Sequence, residues 1–256
     1  MNQLFYRETG QGSPLLILHG LFGTSDNWHN VARVLAQGNR KVILADLRNH
    51  GLSFHDNEFT YEAMANDVAR LINTLQIAPV DLIGHSMGGK VAMQLAIDHP
   101  GLIQNLIVAD IAPKPYPVHH HQIIQGLKAI PVGALNNRKE ADDKLAQYVQ
   151  EAGVRQFLLK NLTRAKSGGY AWKMNLPVIS EQIENVGAAM PDGLTVDLPT
   201  LFIRGGKSDY IRDEDEGHIS RLFSNYQIHT LAGAGHWVHA EQPQAFISAV
   251  TKFLNQ

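Results

Sequence analysis

Residues 84–88 read Gly84-His85-Ser86-Met87-Gly88, a G-x-S-x-G pentapeptide between the apolar run 79–83 and a helix-compatible stretch, 89–96. A serine in that setting leaves a strand and enters a helix within one tight turn, which forces its backbone into an uncommon conformation. Gly84 and Gly88 leave space for the turn, so Ser86 projects from the sheet edge. The helix that follows points its positive N-terminus at negative charge developing nearby. These are the requirements of a nucleophile that meets an acyl carbonyl. Attack needs a general base as well, and thirteen histidines are available. Position selects His236, which lies among small residues in Ala234-Gly235-His236-Trp237, after the strand-like run 226–231. His85 is next to the serine, but a neighbour on the same turn points elsewhere, and His239 packs beneath the loop. Two N–H donors must also face the developing oxyanion. Met87, directly after the nucleophile, supplies one. The other comes from the His19-Gly20-Leu21-Phe22-Gly23 loop, with Leu21 preferred, Phe22 as the alternative and His19 ordering the loop.

Residues so distant in sequence meet only if a sheet brings their strand ends to one edge. Strand-like runs fall at 3–8, 15–19, 42–46, 80–83, 106–110, 200–204 and 227–231. They alternate with helical patterns, as in a mainly parallel sheet covered on both faces. The clearest helix is 61–75, where Met64, Val68, Leu71, Ile72 and Leu75 share one face and Thr60 is placed to cap it. A last helix at 243–254 closes the sheet. Between Pro113 and Pro191 the alternation fails. Pro113, Pro115 and Pro117 stiffen the exit, and helical patterns at 142–150 and 154–162 follow without good strands between them.

The strings HGLFG, DLRNHG, GHSMGGK, DIAP and GAGHWVHAEQP, in that order, resemble the α/β-hydrolase superfamily along essentially the whole chain. They are most similar to the small bacterial YbfF-type esterases and to related mitochondrial abhydrolase-domain proteins. The segment 46–53 resembles the superfamily's D-x-R-G-x-G-x-S, with Asn49 in place of the first glycine. The resemblance implies an α/β-hydrolase fold, with a mostly parallel eight-stranded sheet and helices on both faces. It divides the chain into a core, 1–112 and 192–256, and a helical lid, 113–191, inserted after the sixth strand. It also offers two acids for the triad. Asp110, in Val108-Ala109-Asp110-Ile111-Ala112-Pro113, matches the acid of the YbfF-type enzymes and is preferred. The usual position after the seventh strand is occupied by Ser208, with Asp209 one residue late as the alternative. The implied activity is that of a serine hydrolase, a carboxylesterase or thioesterase acting through an acyl-serine without a cofactor. A serine nucleophile argues against dehalogenases and epoxide hydrolases of this fold, which use a carboxylate. Carbon–carbon hydrolases, lyases and a non-enzymatic ligand receptor stay open.

Composition narrows the setting. At 256 residues, 44% apolar and with a net charge of −2, the chain fits one globular domain with an insertion and shows no polyelectrolyte signal for nucleic acid. It has no cysteine, which removes disulfides and thiolate chemistry. Neither a secretion signal nor a bilayer-spanning run is visible, so a cytoplasmic monomer or homodimer without membrane contact is expected. The lid holds ten Lys/Arg against six Asp/Glu. That balance would favour anionic acyl substrates such as acyl-CoA, unless the charges are merely solvated helix faces. His119-His120-His121 invites a metal, but three consecutive residues do not converge on one ion, and no metal is expected. His120 and His121 on the lid, with Phe22, His19, His85 and Trp237, are the candidates for contact with a small acyl ester or thioester.

Overall fold

The computed structural model describes residues 2–166 and 168–256. Its strands are β1 (Tyr6–Thr9), β2 (Ser13–Leu18), β3 (Arg40–Ala45), β4 (Val80–His85), β5 (Ile103–Ala109), β6 (Leu162–Arg164), β7 (Tyr170–Trp172), β8 (Thr200–Gly205) and β9 (Tyr226–Leu231). Its helices are α1 (His29–Leu35), α2 (Tyr61–Leu75), α3 (Met87–Asp98), α4 (His121–Lys128), α5 (Arg138–Leu145), α6 (Ala152–Leu159), α7 (Leu176–Glu181), α8 (Glu216–Leu222), α9 (Val238–Glu241) and α10 (Pro243–Leu254). The main sheet runs β1-β3-β2-β4-β5-β8-β9, and only the β1–β3 pair is antiparallel.

Successive residues of the central strands feed opposite cores. Leu16, Leu18, Ile43, Leu82, Leu106, Val108 and Phe202 pack on the face of α2 and α3. Leu15, Ile17, Val42, Leu44, Ile83, Ile107 and Ile203 pack on the face of α1 and α10. Burial on both faces explains why these strands read as continuous apolar runs rather than as alternating ones. The helix α2 spans the residues that its periodicity predicts, and the Thr60 side chain accepts from Ala63 N at 3.2 Å. No described helix is long and apolar enough to cross a membrane.

Among the described residues the main sheet has seven strands, not eight. They fall in the seven strand-forming runs outside 113–191, and the eighth strand belongs to the family pattern alone. Asp110 therefore follows the fifth strand of this chain. The segment between β5 and β8 is also not wholly helical. It carries α4 to α7 together with an antiparallel hairpin of β6 and β7, whose turn includes Gly168 and Gly169 at positive φ. Three-residue strands are too short to show alternation, so sequence reading misses them. Helices α5 and α6 begin earlier than their apolar patterns, and α5 is capped by Asn137, which accepts from Glu140 N at 3.1 Å. The two stems of the insertion run side by side, joined by Tyr116 N to Gly187 O at 2.9 Å and Met190 N to Pro113 O at 2.8 Å.

Candidate active site

Ser86 stands between β4 and α3 with φ 53° and ψ −121°, an uncommon backbone state for a residue with a side chain. Its surroundings account for both flanking glycines. A methyl group on Gly84 would run into the Gly88 carbonyl, and one on Gly88 would stand 2.5 Å from His19 O. The turn is pinned on both sides. Ser86 N donates to Ala109 O at 3.0 Å, and Ser86 O accepts from Gly89 N at 2.8 Å.

His236 faces the hydroxyl. Its Nε2 lies 3.0 Å from Ser86 Oγ, and its Nδ1 lies 2.8 Å from Asp110 Oδ2. With the proton on Nδ1 donated to Asp110, Nε2 is free to accept from the serine. Asp110 is fully buried at 0% exposure and sits at φ 52°. Its Oδ1 accepts from Gly205 N at 2.9 Å, and its Oδ2 also accepts from the Ser208 hydroxyl. Ser208 thus stands where the family pattern puts an acid and hydrogen-bonds to the aspartate instead. Asp209 is 88% exposed on its side chain and pairs with Arg212 at 3.4 Å, at the rim of the cavity described below. Two further groups hold His236. The Tyr210 ring stacks on the imidazole at 3.9 Å, and His85 Nε2–H donates to the His236 carbonyl at 2.9 Å.

The loop after β2 is held by buried imidazoles. His19 Nε2 accepts from Leu47 N at 3.0 Å, so its Nδ1 carries the proton and donates to Gly20 O at 2.8 Å. His50 Nε2 accepts from Phe22 N at 3.2 Å, and its Nδ1–H donates to Arg48 O. Phe22 N is thereby engaged. The amides of Leu21 and Met87 have no hydrogen-bond partner among the described residues, and both residues line the cavity beside Ser86. Of the two candidates on this loop, Leu21 is the one with an open donor. Burial lowers the pKa of His19, His50 and His85, that of His50 to about 3. His239 is likewise lowered to about 3 where it stacks on Trp28 at 3.8 Å. All four are held neutral by desolvation. His50 lies in the 46–53 segment, where Asn49 has φ 65°. Asparagine tolerates this left-handed state, which explains its presence at a family glycine position.

A cavity of about 340 Å³ opens over Ser86. Tyr61, Ile111 and Met87 line its core side, while Pro115, Tyr116, Val118, Val186 and Gly187 line it from the two stems of the insertion. Not all candidate contact residues reach it. His120 does, with His119 beside it, and burial lowers the His120 pKa to about 4. His19, His85 and Phe22 are buried behind the wall and act on the loops instead of lining the cavity. His121 is exposed and pairs with Glu184 at 3.3 Å, so the histidine run does not converge on one point. Trp237 packs toward Phe157, ring centroids 6.0 Å apart, outside the lining.

Several cations of the insertion are engaged locally, away from the cavity. Arg138 donates to the carbonyls of Leu159 and Leu162, Lys139 pairs with Asp143, Arg155 pairs with Asp142, and Arg164 covers the Tyr170 ring. Among the described residues of 113–191 only one cation, Lys114, lines the cavity, and Asp215 holds it at 2.7 Å through both oxygens.

A family model described as the alpha/beta hydrolase fold matches residues 13–243. The chain is 41% identical over 252 residues to the sn-1-specific diacylglycerol lipase ABHD11 of Danio rerio, covering 96% of this chain and 79% of that protein. It is 37% identical over 244 residues to Esterase YbfF of Escherichia coli (strain K12), covering 95% and 93% of the two chains. Among solved structures, a marine microorganism esterase at 41% identity superposes with a TM-score of 0.96 over 99% of this chain and 100% of that one.

Proposed function

The chain belongs to the α/β-hydrolase fold family, and on that premise we propose that it is a carboxylic ester hydrolase working through an acyl-serine at Ser86. The observation that carries this reading is the hydrogen-bonded series Ser86–His236–Asp110, at 3.0 and 2.8 Å, beside two amides with no other partner. Ser86 Oγ attacks the carbonyl carbon as its proton passes to His236 Nε2. Asp110 accepts from Nδ1–H and stabilises the imidazolium, while the Leu21 and Met87 amides take the oxyanion. The carbon–oxygen bond to the alcohol then breaks, and the leaving oxygen takes the proton from Nε2. Water repeats the sequence, giving its proton to His236, releasing the acid and returning a proton to Ser86.

The relatives' names, esterase and diacylglycerol lipase, favour an ester over a carbon–carbon bond. The modest, mainly apolar cavity favours a small acyl group. A thioester is cleaved by the same steps, but both cations that line the cavity are paired, Lys114 with Asp215 and Arg212 with Asp209 and Glu214, which argues against a special preference for an anionic carrier such as acyl-CoA.

Hydrolysis of p-nitrophenyl butyrate by the wild type and by Ser86→Ala tests the proposal. The expected loss is on the order of 10³-fold or more with the fold retained. Near-normal turnover by a folded Ser86→Ala protein would remove the nucleophile and the proposal with it.

A further inference from the structure

Lys90 lies one turn into α3, four residues after Ser86, and is 0% exposed. Among the described residues no carboxylate pairs with it, and burial pulls its pKa down to about 7. Burying an amine in this way is unfavourable unless its donors are satisfied. An apolar side chain of equal length would fill the same space with no such penalty. The compensation comes from two carbonyl oxygens, Lys114 O at 2.9 Å and Ala188 O, with the Tyr116 ring centroid 4.9 Å from Nζ. Lys114 belongs to the outgoing stem of the insertion and Ala188 to the returning one. Nζ keeps at least two N–H donors whether or not it carries the third proton, so both carbonyls stay served.

We propose that Lys90 is a positioning residue that latches both stems of the insertion to the nucleophile helix and thereby sets the width of the acyl cavity. The inference rests on the acyl-serine reading above. The stems supply Tyr116, Val186 and Gly187 to the cavity wall, whereas Ser86, His236 and Asp110 all belong to the core. Loss of the latch therefore loosens substrate contacts more than it disturbs the reacting groups. It raises KM, while kcat changes little.

The absence of native cysteine makes a chemical test available, because Lys90→Cys carries the only thiol of the chain. Alkylated in denaturant and refolded, it gives two side chains of lysine length. An S-aminoethyl group restores the donors, and an S-propyl group does not. Wild type taken through the same cycle is the reference. For the S-propyl form and for Lys90→Met, KM for p-nitrophenyl butyrate is expected to rise about fivefold or more, with kcat within about threefold. The rate ratio between acetyl and octanoyl esters should flatten, and amide exchange at Lys114, Tyr116, Val118 and 186–190 should quicken. The S-aminoethyl form should return all three readouts toward wild type. Equal behaviour of the two alkylated forms would reduce Lys90 to packing and overturn the proposal, even if Lys90→Met does not fold. Unchanged KM and exchange in Lys90→Met would overturn it as well. The exchange data do not depend on turnover, so failure of the latch is distinguishable from failure of the acyl-serine reading, which Ser86→Ala reports.

Discussion

Adjacent strands β4 and β5 end in the same uncommon way. Ser86 leaves one at φ 53° and Asp110 leaves the other at φ 52°, at the same level because His85 pairs with Ala109. Only the first turn is marked by glycines. After Ser86 a helix begins at once, and Gly84 and Gly88 are needed because backbone passes within contact of both. After Asp110 the chain runs on through Ile111, Ala112 and Pro113 into the insertion, with no helix folding back on the strand. Glycine spacing reports backbone crowding, not chemistry. A residue with the same conformation and an equal share in the site is silent when nothing crowds it.

The two turns also differ in their supports. The Ser86 side depends on buried neutral imidazoles, whereas Asp110 depends on one amide and one hydroxyl, Gly205 N and Ser208 Oγ. Four expected outcomes sharpen that contrast. The largest concerns the proposed acid. Asp110→Asn should lower kcat by up to ~10⁴, since asparagine keeps the shape but cannot stabilise the imidazolium and can impose the wrong tautomer. Asp209→Asn should stay within about twofold. The check is kcat for both variants on one ester, with folding followed by circular dichroism; the reverse ranking would move the acid to the loop after β8.

Acid should act on the histidine-supported side. A buried imidazole with its folded pKa near 3 binds no proton between pH 6.5 and about 3, while the unfolded chain does. Stability is therefore fully present above pH 6.5 and falls as pH drops through that window, by about 1.4 kcal/mol per pH unit for each such residue. Denaturant midpoints measured from pH 7 to pH 5 should fall, and His239→Phe, which keeps a ring on Trp28, should flatten part of the slope. A slope unaffected by that substitution would exclude His239 from the acid response.

Crowding at the serine turn gives the third contrast. Gly88→Ala should destabilise by about 1–3 kcal/mol, the usual range for forcing a methyl into packed surroundings. Ala112→Gly, past the uncrowded aspartate turn, should cost less, and thermal unfolding of both variants tests the ranking. The smallest effect is that of Ser208→Ala, which removes one donor from Asp110 and should lower kcat about tenfold, in keeping with a hydrogen bond to a charged group. No change in kcat on a saturating ester would make that hydroxyl incidental.

How much could be read from the sequence follows the same physics. Ser86 and α2 were legible because a crowded turn demands glycines and a half-buried helix demands periodicity. His236 was legible from its small-residue loop. Asp110 became visible only through family resemblance. His50, Tyr210 and Ser208 act through contacts made by distant segments, and no local spacing encodes those contacts. His121 and Trp237 were misplaced for the related reason that proximity in sequence to a hinge or a histidine does not fix which way a side chain turns.

The most direct measurement is the reaction of the intact protein with a fluorophosphonate, followed by peptide mass mapping. A single adduct on the peptide that contains Ser86 is expected, with none in Ser86→Ala and slow labelling in Asp110→Asn. A protein that hydrolyses esters yet labels elsewhere, or not at all, would contradict the assignment of Ser86 as the nucleophile.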